Sequence, residues 1–362
     1  MKRRVQRIYK HIDDGVDLLV FSNSTDPHVD LSFMYVSGLT DGIFEGCGVF
    51  CTPDDRVEIV TSALEEEAAK KSGLALHVFR TRAERVKAFK ALLKGHRRIG
   101  VNPPELTYKA AEELRKFAPK ARLVDVSEAV MKARLVKDEA EIAAIGKAAR
   151  IASQAFVDTL EVIRPGRRES EVAADLVYAM QVRGAAGPSF RTIVGSGPNG
   201  AEPHYTAGPR KLRRGDLVVI DFGARYEAYC SDVTRTVAIG RPTEKQRSIY
   251  ETVRRAQAES IKAMRPRTKA KAVDAIARDL IDGTEYKGRF IHGLGHSVGL
   301  AVHDGAGLNQ ASDVVLRKNM VFTNEPGIYL PGFGGVRIED DVLVTGDAPR
   351  LLSTAPRELI AL

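Results

Sequence analysis

The pattern of apolar and polar positions divides the chain in two. Residues 17–23 (Asp-Leu-Leu-Val-Phe-Ser-Asn), 47–52 and 56–61 are short apolar or alternating runs bounded by turn residues, which predicts half-buried or buried strands. Helical spacing follows over 62–72 and 81–93, and the alternation of strand and helix continues to Val124. Residues 1–126 are therefore expected to form a small α/β accessory domain. From 127 to 160, Val130, Leu135, Ile142, Ile145, Ala149, Ile151 and Phe156 recur at near-helical spacing, predicting a long connecting helix with a break near Lys137. Further helices are expected over 167–182, 243–264 and 269–282. The second of these opens on the capping box Thr243 to Gln246 and stops at Pro266, and the third ends at Gly283. Strands are expected at 189–195, 216–223, 230–239, 289–296, 319–325 and 335–344, so residues 127–362 make a second, larger domain of mixed helix and sheet.

Composition narrows the setting. At 362 residues and 44% hydrophobic content, there is enough apolar material for two cores. The basic start, Met-Lys-Arg-Arg-Val-Gln-Arg, runs into further polar residues, so no secretory signal is expected. No run approaches the ~20 apolar residues that cross a bilayer, so a membrane is not expected as a partner. Cys47, Cys51 and Cys230 are too few for a disulfide framework or a cysteine zinc site, which suits the cytoplasm. The net charge of +8 comes from 55 Lys and Arg interspersed with 47 Asp and Glu, without a clustered patch, so nucleic acid is not expected as a partner either.

Candidate chemistry is confined to the second domain. Asp221 ends the apolar run Leu-Val-Val-Ile-Asp, where an unpaired carboxylate is costly. With a turn centred on Tyr226-Glu227, Asp221 would lie directly opposite Asp232. Downstream, Glu325 and Glu339 flank the turn Pro331-Gly-Phe-Gly334 and become cross-strand partners in the same way. Between these hairpins, His292-Gly-Leu-Gly-His296 reads as a glycine-rich strand that supplies an imidazole. Singly, each acid reads as a surface charge and His296 as a hydrogen-bonded interior histidine. Together, four carboxylates and one neutral imidazole would balance two divalent metal ions. Oxygen and nitrogen donors suit manganese or cobalt, with zinc or iron as alternatives. A pair of such ions can share a hydroxide and polarise a carbonyl, so hydrolysis is the expected reaction.

These segments resemble the pita-bread metallopeptidases, a family that includes prolidase, aminopeptidase P and methionine aminopeptidase. The resemblance is carried by Pro203-His204-Tyr205, Asp221-Phe-Gly, Ser231-Asp232-Val-Thr-Arg-Thr, His292 to His296, Val-Gly-Leu-Ala-Val-His303-Asp304, Thr323-Asn-Glu325-Pro-Gly-Ile-Tyr and Gly335-Val-Arg-Ile-Glu339-Asp. It extends to the linker that begins at Met131 and to the N-terminal 125 residues. The implied class is α+β, with a C-terminal pita-bread (creatinase/aminopeptidase-like) catalytic domain over 127–362 preceded by the smaller α/β domain.

The resemblance implies that Asp221 binds one metal and His296 and Glu325 the other, with Asp232 and Glu339 bridging. It places His204 and His303 in the substrate pocket, His303 supporting the tetrahedral intermediate and His204 near the proline side. Residue chemistry adds that Glu325 is suited to shuttle the proton. Arg337, two residues before Glu339 on the same strand face, is suited to hold a carboxylate in place. Phe190 and Tyr229 are candidate pocket walls, with core packing as the competing role. His292 is either a packed neighbour of the ligand or a participant.

The implied activity is hydrolysis of Xaa-Pro dipeptides by a metal-bridged hydroxide, with aminopeptidase P action on longer peptides as the alternative and a non-enzymatic binding module as the third reading. Two departures bear on this. No arginine follows His303 before Arg317 to grip a dipeptide carboxylate, and Asp304 stands where short prolidases commonly carry Glu. The family also implies a homodimer, in which the loop Asp26 to Asp30 of one chain roofs the other's site.

Overall fold

The computed structural model describes residues 2–13 and 15–362. They form two compact units, one ending at Arg134 and the other running from Leu135 to Leu362.

The first unit is built on a six-stranded sheet of β1 (Leu18–Ser22), β2 (Gly48–Cys51), β3 (Val57–Ser62), β4 (Ala75–Phe79), β5 (Arg98–Val101) and β6 (Arg122–Asp125), in the order β4-β3-β2-β1-β5-β6. The three central strands are antiparallel, and β4, β5 and β6 join in parallel. All five residues of β1 are buried, as expected of an interior strand covered on both faces. Its helices are α1 (Lys2–Tyr9), α2 (Leu31–Ser37), α3 (Glu66–Lys70), α4 (Arg82–Leu93), α5 (Tyr108–Phe117) and α6 (Ser127–Leu135). Phe89 and Leu93 of α4 and Leu114 of α5 pack on Leu18, Val20, Phe50 and Val60 of the sheet. In α6, Ala129, Val130 and Ala133 are buried and the Ala133 carbonyl accepts from the Tyr35 hydroxyl. The unit therefore extends to Arg134, not to 126, because this helix packs as part of it.

The expected break near Lys137 separates α6 from α7 (Glu139–Thr159), whose N-terminus is closed by a reciprocal capping box between Asp138 and Glu141. The second unit continues with α8 (Glu169–Val182), α9 (Glu244–Lys262) and α10 (Ala270–Asp282). Its strands are β7 (Gly187–Pro188), β8 (Ile193–Ser196), β9 (Leu217–Phe222), β10 (Ala224–Tyr226), β11 (Tyr229–Cys230), β12 (Val233–Ala238), β13 (Gly295–His296), β14 (Gly307–Leu308), β15 (Val321–Asn324), β16 (Gly327–Leu330), β17 (Gly334–Arg337), β18 (Asp340–Leu343) and β19 (Arg350–Leu351). One core joins α7 and α8 to β8, β9 and β12. A second joins α9 and α10 to the strands from β14 onward. Along β9, Val218, Ile220 and Phe222 enter the first core, so alternation turns Asp221 to the opposite face.

Register corrects one expectation and supports another. The first hairpin turns at Glu227-Ala228, both with positive φ (47° and 65°), one residue later than expected. Asp221 is therefore opposite Thr234, and Asp232 lies just before the start of β12. A shift of two positions keeps the face, so Asp232 becomes a diagonal neighbour of Asp221 instead of its direct partner. In the second hairpin the ladder β16–β17 and the ladder β15–β18 share one register, with Gly327 opposite Arg337 and Asn324 opposite Asp340. Glu325 and Glu339 face each other in the gap between them. The glycine-rich stretch is strand only at Gly295–His296, since residues 289–294 pair with no strand.

The Phe156 ring of α7 lies parallel to that of Phe222 on β9, with centroids 5.4 Å apart. Phe156→Ala is expected to cost about 3–5 kcal/mol of stability, read by urea denaturation of the metal-loaded protein. A loss below about 1 kcal/mol would mean that this contact does not hold α7 to the sheet.

Candidate metal centre

The site is assembled from the two hairpins and the short strand between them. Asp221 sits near the end of β9, Asp232 before β12, His296 on β13, and Glu325 and Glu339 in the gap of the second hairpin. Ligand atoms of Asp232, His296 and Glu339 lie within 4.8 Å of one another. His296 Nε2 is 3.5 Å from both Asp232 Oδ2 and Glu325 Oε1. Backbone bonds fix these positions: Glu325 N–H donates to the Leu294 carbonyl, and Glu339 N–H to that of Thr234.

Three of the acids leave one oxygen without a donor, and two of those three share the other with a donor from the chain. Asp221 Oδ2 accepts from Arg337 at 2.7 Å, and Glu339 Oε2 accepts from the Thr234 hydroxyl at 2.6 Å. Asp221 Oδ1, Asp232 Oδ1 and Glu339 Oε1 are buried without a hydrogen-bond partner in the protein. Orphaned buried oxygens are rare, and three gathered in one site are a donor set that suits a cation. Carboxylate oxygens and an imidazole nitrogen fit a divalent ion of the manganese, cobalt, iron or zinc type.

Electrostatics lead to the same conclusion. Burial, then the charges of Glu339 and Asp221, pushes the Asp232 carboxyl well above the carboxylate range, and burial with Glu325 and Asp221 does the same to Glu339. Burial raises Glu325 to about 8, opposed by Arg337. His296 is lowered to about 3 by burial, then by His303, despite its acidic neighbours. The neutral ring is the metal-binding form.

Arg337 forms the hub of the support. Besides Asp221, its guanidinium donates to the Thr234 hydroxyl (3.0 Å), the Tyr329 hydroxyl (2.8 Å) and the Pro203 carbonyl (3.3 Å). The Tyr329 hydroxyl lies 2.8 Å from His292 Nε2, and His292 Nδ1 lies 2.8 Å from the Gly293 carbonyl. Burial, then Arg337, lowers His292 to about 4, so its neutral ring donates through Nδ1 and accepts from Tyr329. His292 is thus a supporting residue that also borders the pocket.

A cavity of about 610 Å³ opens on the centre, and all five proposed ligands line it together with His204, His292, His303, Phe190 and Arg337. The His303 ring stacks on His296 at 3.8 Å. Its turn is held by the Ser297 hydroxyl, which donates to the Asp304 carbonyl, and by the buried pair Lys137–Asp304 at 3.0 Å. Tyr229 is not among the lining residues. It is buried, and its hydroxyl is 3.3 Å from Glu141 on α7, so packing, its competing role, is the one observed. Thr234 and Tyr329, which accept from Arg337, and Asn309, which lines the cavity, are residues that sequence reasoning missed. Thr234 and Tyr329 both lay within quoted motifs, but the place of Thr234 opposite Asp221 became visible only with the true register.

Residues 143–346 match metallopeptidase family M24, and residues 4–136 match the creatinase/prolidase N-terminal domain. The chain belongs to metallopeptidase family M24, whose members are peptidases that use divalent metal ions. Its particular relatives include the Xaa-Pro dipeptidase of Pyrococcus horikoshii, 38% identical over 361 residues that cover 99% of both chains. The crystal structure of the prolidase from Pyrococcus horikoshii OT3 aligns with 99% of this chain and 100% of its own, with a TM-score of 0.89 at 38% identity. The X-Pro aminopeptidase from Thermotoga maritima MSB8 aligns with 98% of this chain and 100% of its own, with a TM-score of 0.92 at 32% identity. The pita-bread architecture expected from the motifs is therefore present.

The raised carboxyls set a pH dependence for the metal-free protein. Asp232, Glu325 and Glu339 bind protons more tightly folded than unfolded, so their contribution is full below the ordinary carboxylate range near about pH 4 and is lost as pH rises. With Glu325 at about 8, the loss extends to that pH. The melting-temperature gap between metal-loaded and metal-free protein should widen from about pH 5 to about pH 8. A gap that stays constant or narrows would contradict the crowded-carboxylate picture.

Proposed function

We propose that this chain is a dinuclear metallopeptidase that hydrolyses Xaa-Pro dipeptides, with Asp221, Asp232, His296, Glu325 and Glu339 holding two divalent ions, manganese or cobalt first. The observation that carries this is the set of orphaned carboxylate oxygens beside a neutral histidine, opening on a cavity large enough for a dipeptide. The names of the Pyrococcus horikoshii relatives agree in substrate. When bound, such ions supply Lewis-acid polarisation of the scissile carbonyl and an acidified water.

The chain's own residues then divide the remaining work. Glu325 is assigned the proton, which its carboxylate takes from the attacking water and returns to the proline nitrogen as the C–N bond breaks. His303, held by its stack on His296, faces the cavity where negative charge develops on the carbonyl oxygen, and a donor fixed in advance costs no reorganisation. Arg337 holds Asp221 in orientation. His204 and Phe190 are assigned to the substrate's proline side.

A second reading, removal of an N-terminal residue before proline from longer peptides, is favoured by one observation. Arg337 is engaged with four protein groups, and no other Lys or Arg among the described residues lines the cavity to bind a free carboxylate. The Thermotoga maritima relative carries the corresponding name. Assembly as a homodimer and a cytoplasmic location complete the proposal. No described helix is long and apolar enough to cross a membrane.

Purified protein should bind about two metals per chain and lose activity on chelation, since confined carboxylates need compensating cations. Full activity with one metal or none would remove the dinuclear reading. On a panel of Ala-Pro, Leu-Pro, Gly-Pro, Ala-Pro-Ala and Met-Ala-Ser, the dipeptides should be cleaved. Cleavage of Ala-Pro-Ala alone would move the assignment to the second reading. Glu325→Gln, assayed with saturating Mn²⁺ and measured metal content, should lower turnover by about 10²–10⁴-fold. A fully metallated variant within a few-fold of wild type would exclude Glu325 as the proton carrier.

A further inference from the structure

One carboxylate outside the metal centre is buried more completely than its ligands and has a different set of partners. Glu169 is fully buried, the first residue of α8, and faces no lysine or arginine at ion-pair distance among the described residues. Its Oε1 accepts from Ser196 N–H (2.8 Å), the Ser196 hydroxyl (2.6 Å) and Asn199 Nδ2 (3.0 Å). Its Oε2 accepts from the Tyr205 hydroxyl (2.9 Å) and Gly208 N–H (3.4 Å). The N-terminal end of a helix favours this negative charge, and the donors satisfy it.

All of these donors come from residues 196–208. This segment leaves β8 through a short 3-10 turn (Gly197–Ala201) and carries Pro203-His204. Its other side lies against β17, where a Cβ on Gly335 would come within 2.1 Å of the Gly200 carbonyl oxygen. There the Pro203 carbonyl accepts from Arg337. The segment is thus fixed from α8 on one side and from the metal-site hub on the other. His204 itself is exposed to the cavity, and among the described residues no group hydrogen-bonds to its ring. Its place must be set by the backbone that carries it.

We propose that Glu169 is a positioning residue for substrate binding: its carboxylate gathers the 196–208 segment and thereby presents His204 to the substrate. A buried anion surrounded by neutral donors from a single loop is an anchor with a definite geometry, and an amide cannot reproduce it, because one of its two ends would point a donor at donors. The proposal rests on the reading of His204 as a substrate group.

Glu169→Gln should lower kcat/KM on Ala-Pro by about tenfold or more, mainly through KM, with metal content unchanged. In a His204→Ala background the same change should cost less than about twofold, because both substitutions disable one device. Hydrogen exchange of the backbone amides of 197–208 should accelerate while those of β9 and β12 do not. Independent, multiplying losses, or exchange unchanged in 197–208, would overturn the proposal and leave Glu169 a packing residue. If Glu169→Gln fails to fold, Tyr205→Phe removes a single donor. It should raise KM a few-fold and quicken the same amides, and no change in either would equally overturn the anchor. A wild type inert on every Xaa-Pro peptide would sink the functional reading, whereas unchanged exchange in an active enzyme sinks only the anchor.

Discussion

Confining Asp221, Asp232, Glu325 and Glu339 around His296 is costly, because burial strengthens their mutual repulsion as it removes their hydration. The protein meets part of that cost itself. Arg337 neutralises Asp221 at 2.7 Å, and the Thr234 hydroxyl occupies one oxygen of Glu339. Asp221 Oδ1, Asp232 Oδ1 and Glu339 Oε1 have no hydrogen-bond partner in the chain. Without cations the balance can be restored only by protonation: burial, with the neighbouring carboxylates, displaces Asp232, Glu325 and Glu339 upward, while burial and then His303 displace His296 downward. Metal binding and the folding energetics of the second unit are therefore two aspects of one constraint.

Rigid support follows from the same constraint. Strands that point acids at one another must be held by something other than those acids. Here Val218, Ile220 and Phe222 anchor β9 in the core under α7 and α8, and Phe322, Val336 and Val342 anchor the second hairpin in the core under α9 and α10. Behind the ligands, Arg235 is fully buried and bonds to Asp340 and to the Glu339, Ala355 and Pro356 carbonyls. That contact ties the first hairpin to the strand segment that carries Glu339. Loss of such a buried charge would leave its partners unsatisfied, so the cation is structural in effect although it touches no substrate.

The histidines show how one cavity obtains groups with different duties. His296 is buried among acids and kept neutral by burial and then by His303, the form that the proposed metal role requires. His292 is kept neutral by burial and then by Arg337, and is satisfied by Tyr329 and Gly293. His303 and His204 face the open cavity, one on a turn tied by Ser297 and by Lys137–Asp304, the other on the loop gathered by Glu169. The placement of these two rings draws on Lys137 and Glu169, both remote from them in sequence.

The sequence by itself determined the candidate donor residues that line one cavity, the second hairpin and most helices, because these depend on local information. A carboxylate at the end of an apolar run, a Pro-Gly-Phe-Gly turn between two glutamates and a capping box at Thr243 are each written in a few adjacent residues. The shorter helices α1, α2 and α5 gave too little periodicity to be seen, and α6 could be assigned to the first unit only through the packing of Ala129, Val130 and Ala133. The first hairpin shows where local information ends. Its turn falls at Glu227-Ala228, where two non-glycine residues adopt positive φ, so composition alone misplaced it by one residue and paired Asp221 with the wrong partner. Only tertiary structure decided that Tyr229 packs against α7 while Tyr329 supports His292, or that Arg337 on β17 reaches Asp221 on β9. Those outcomes depend on which side chains meet across long separations in the chain, and periodicity along the sequence does not encode that.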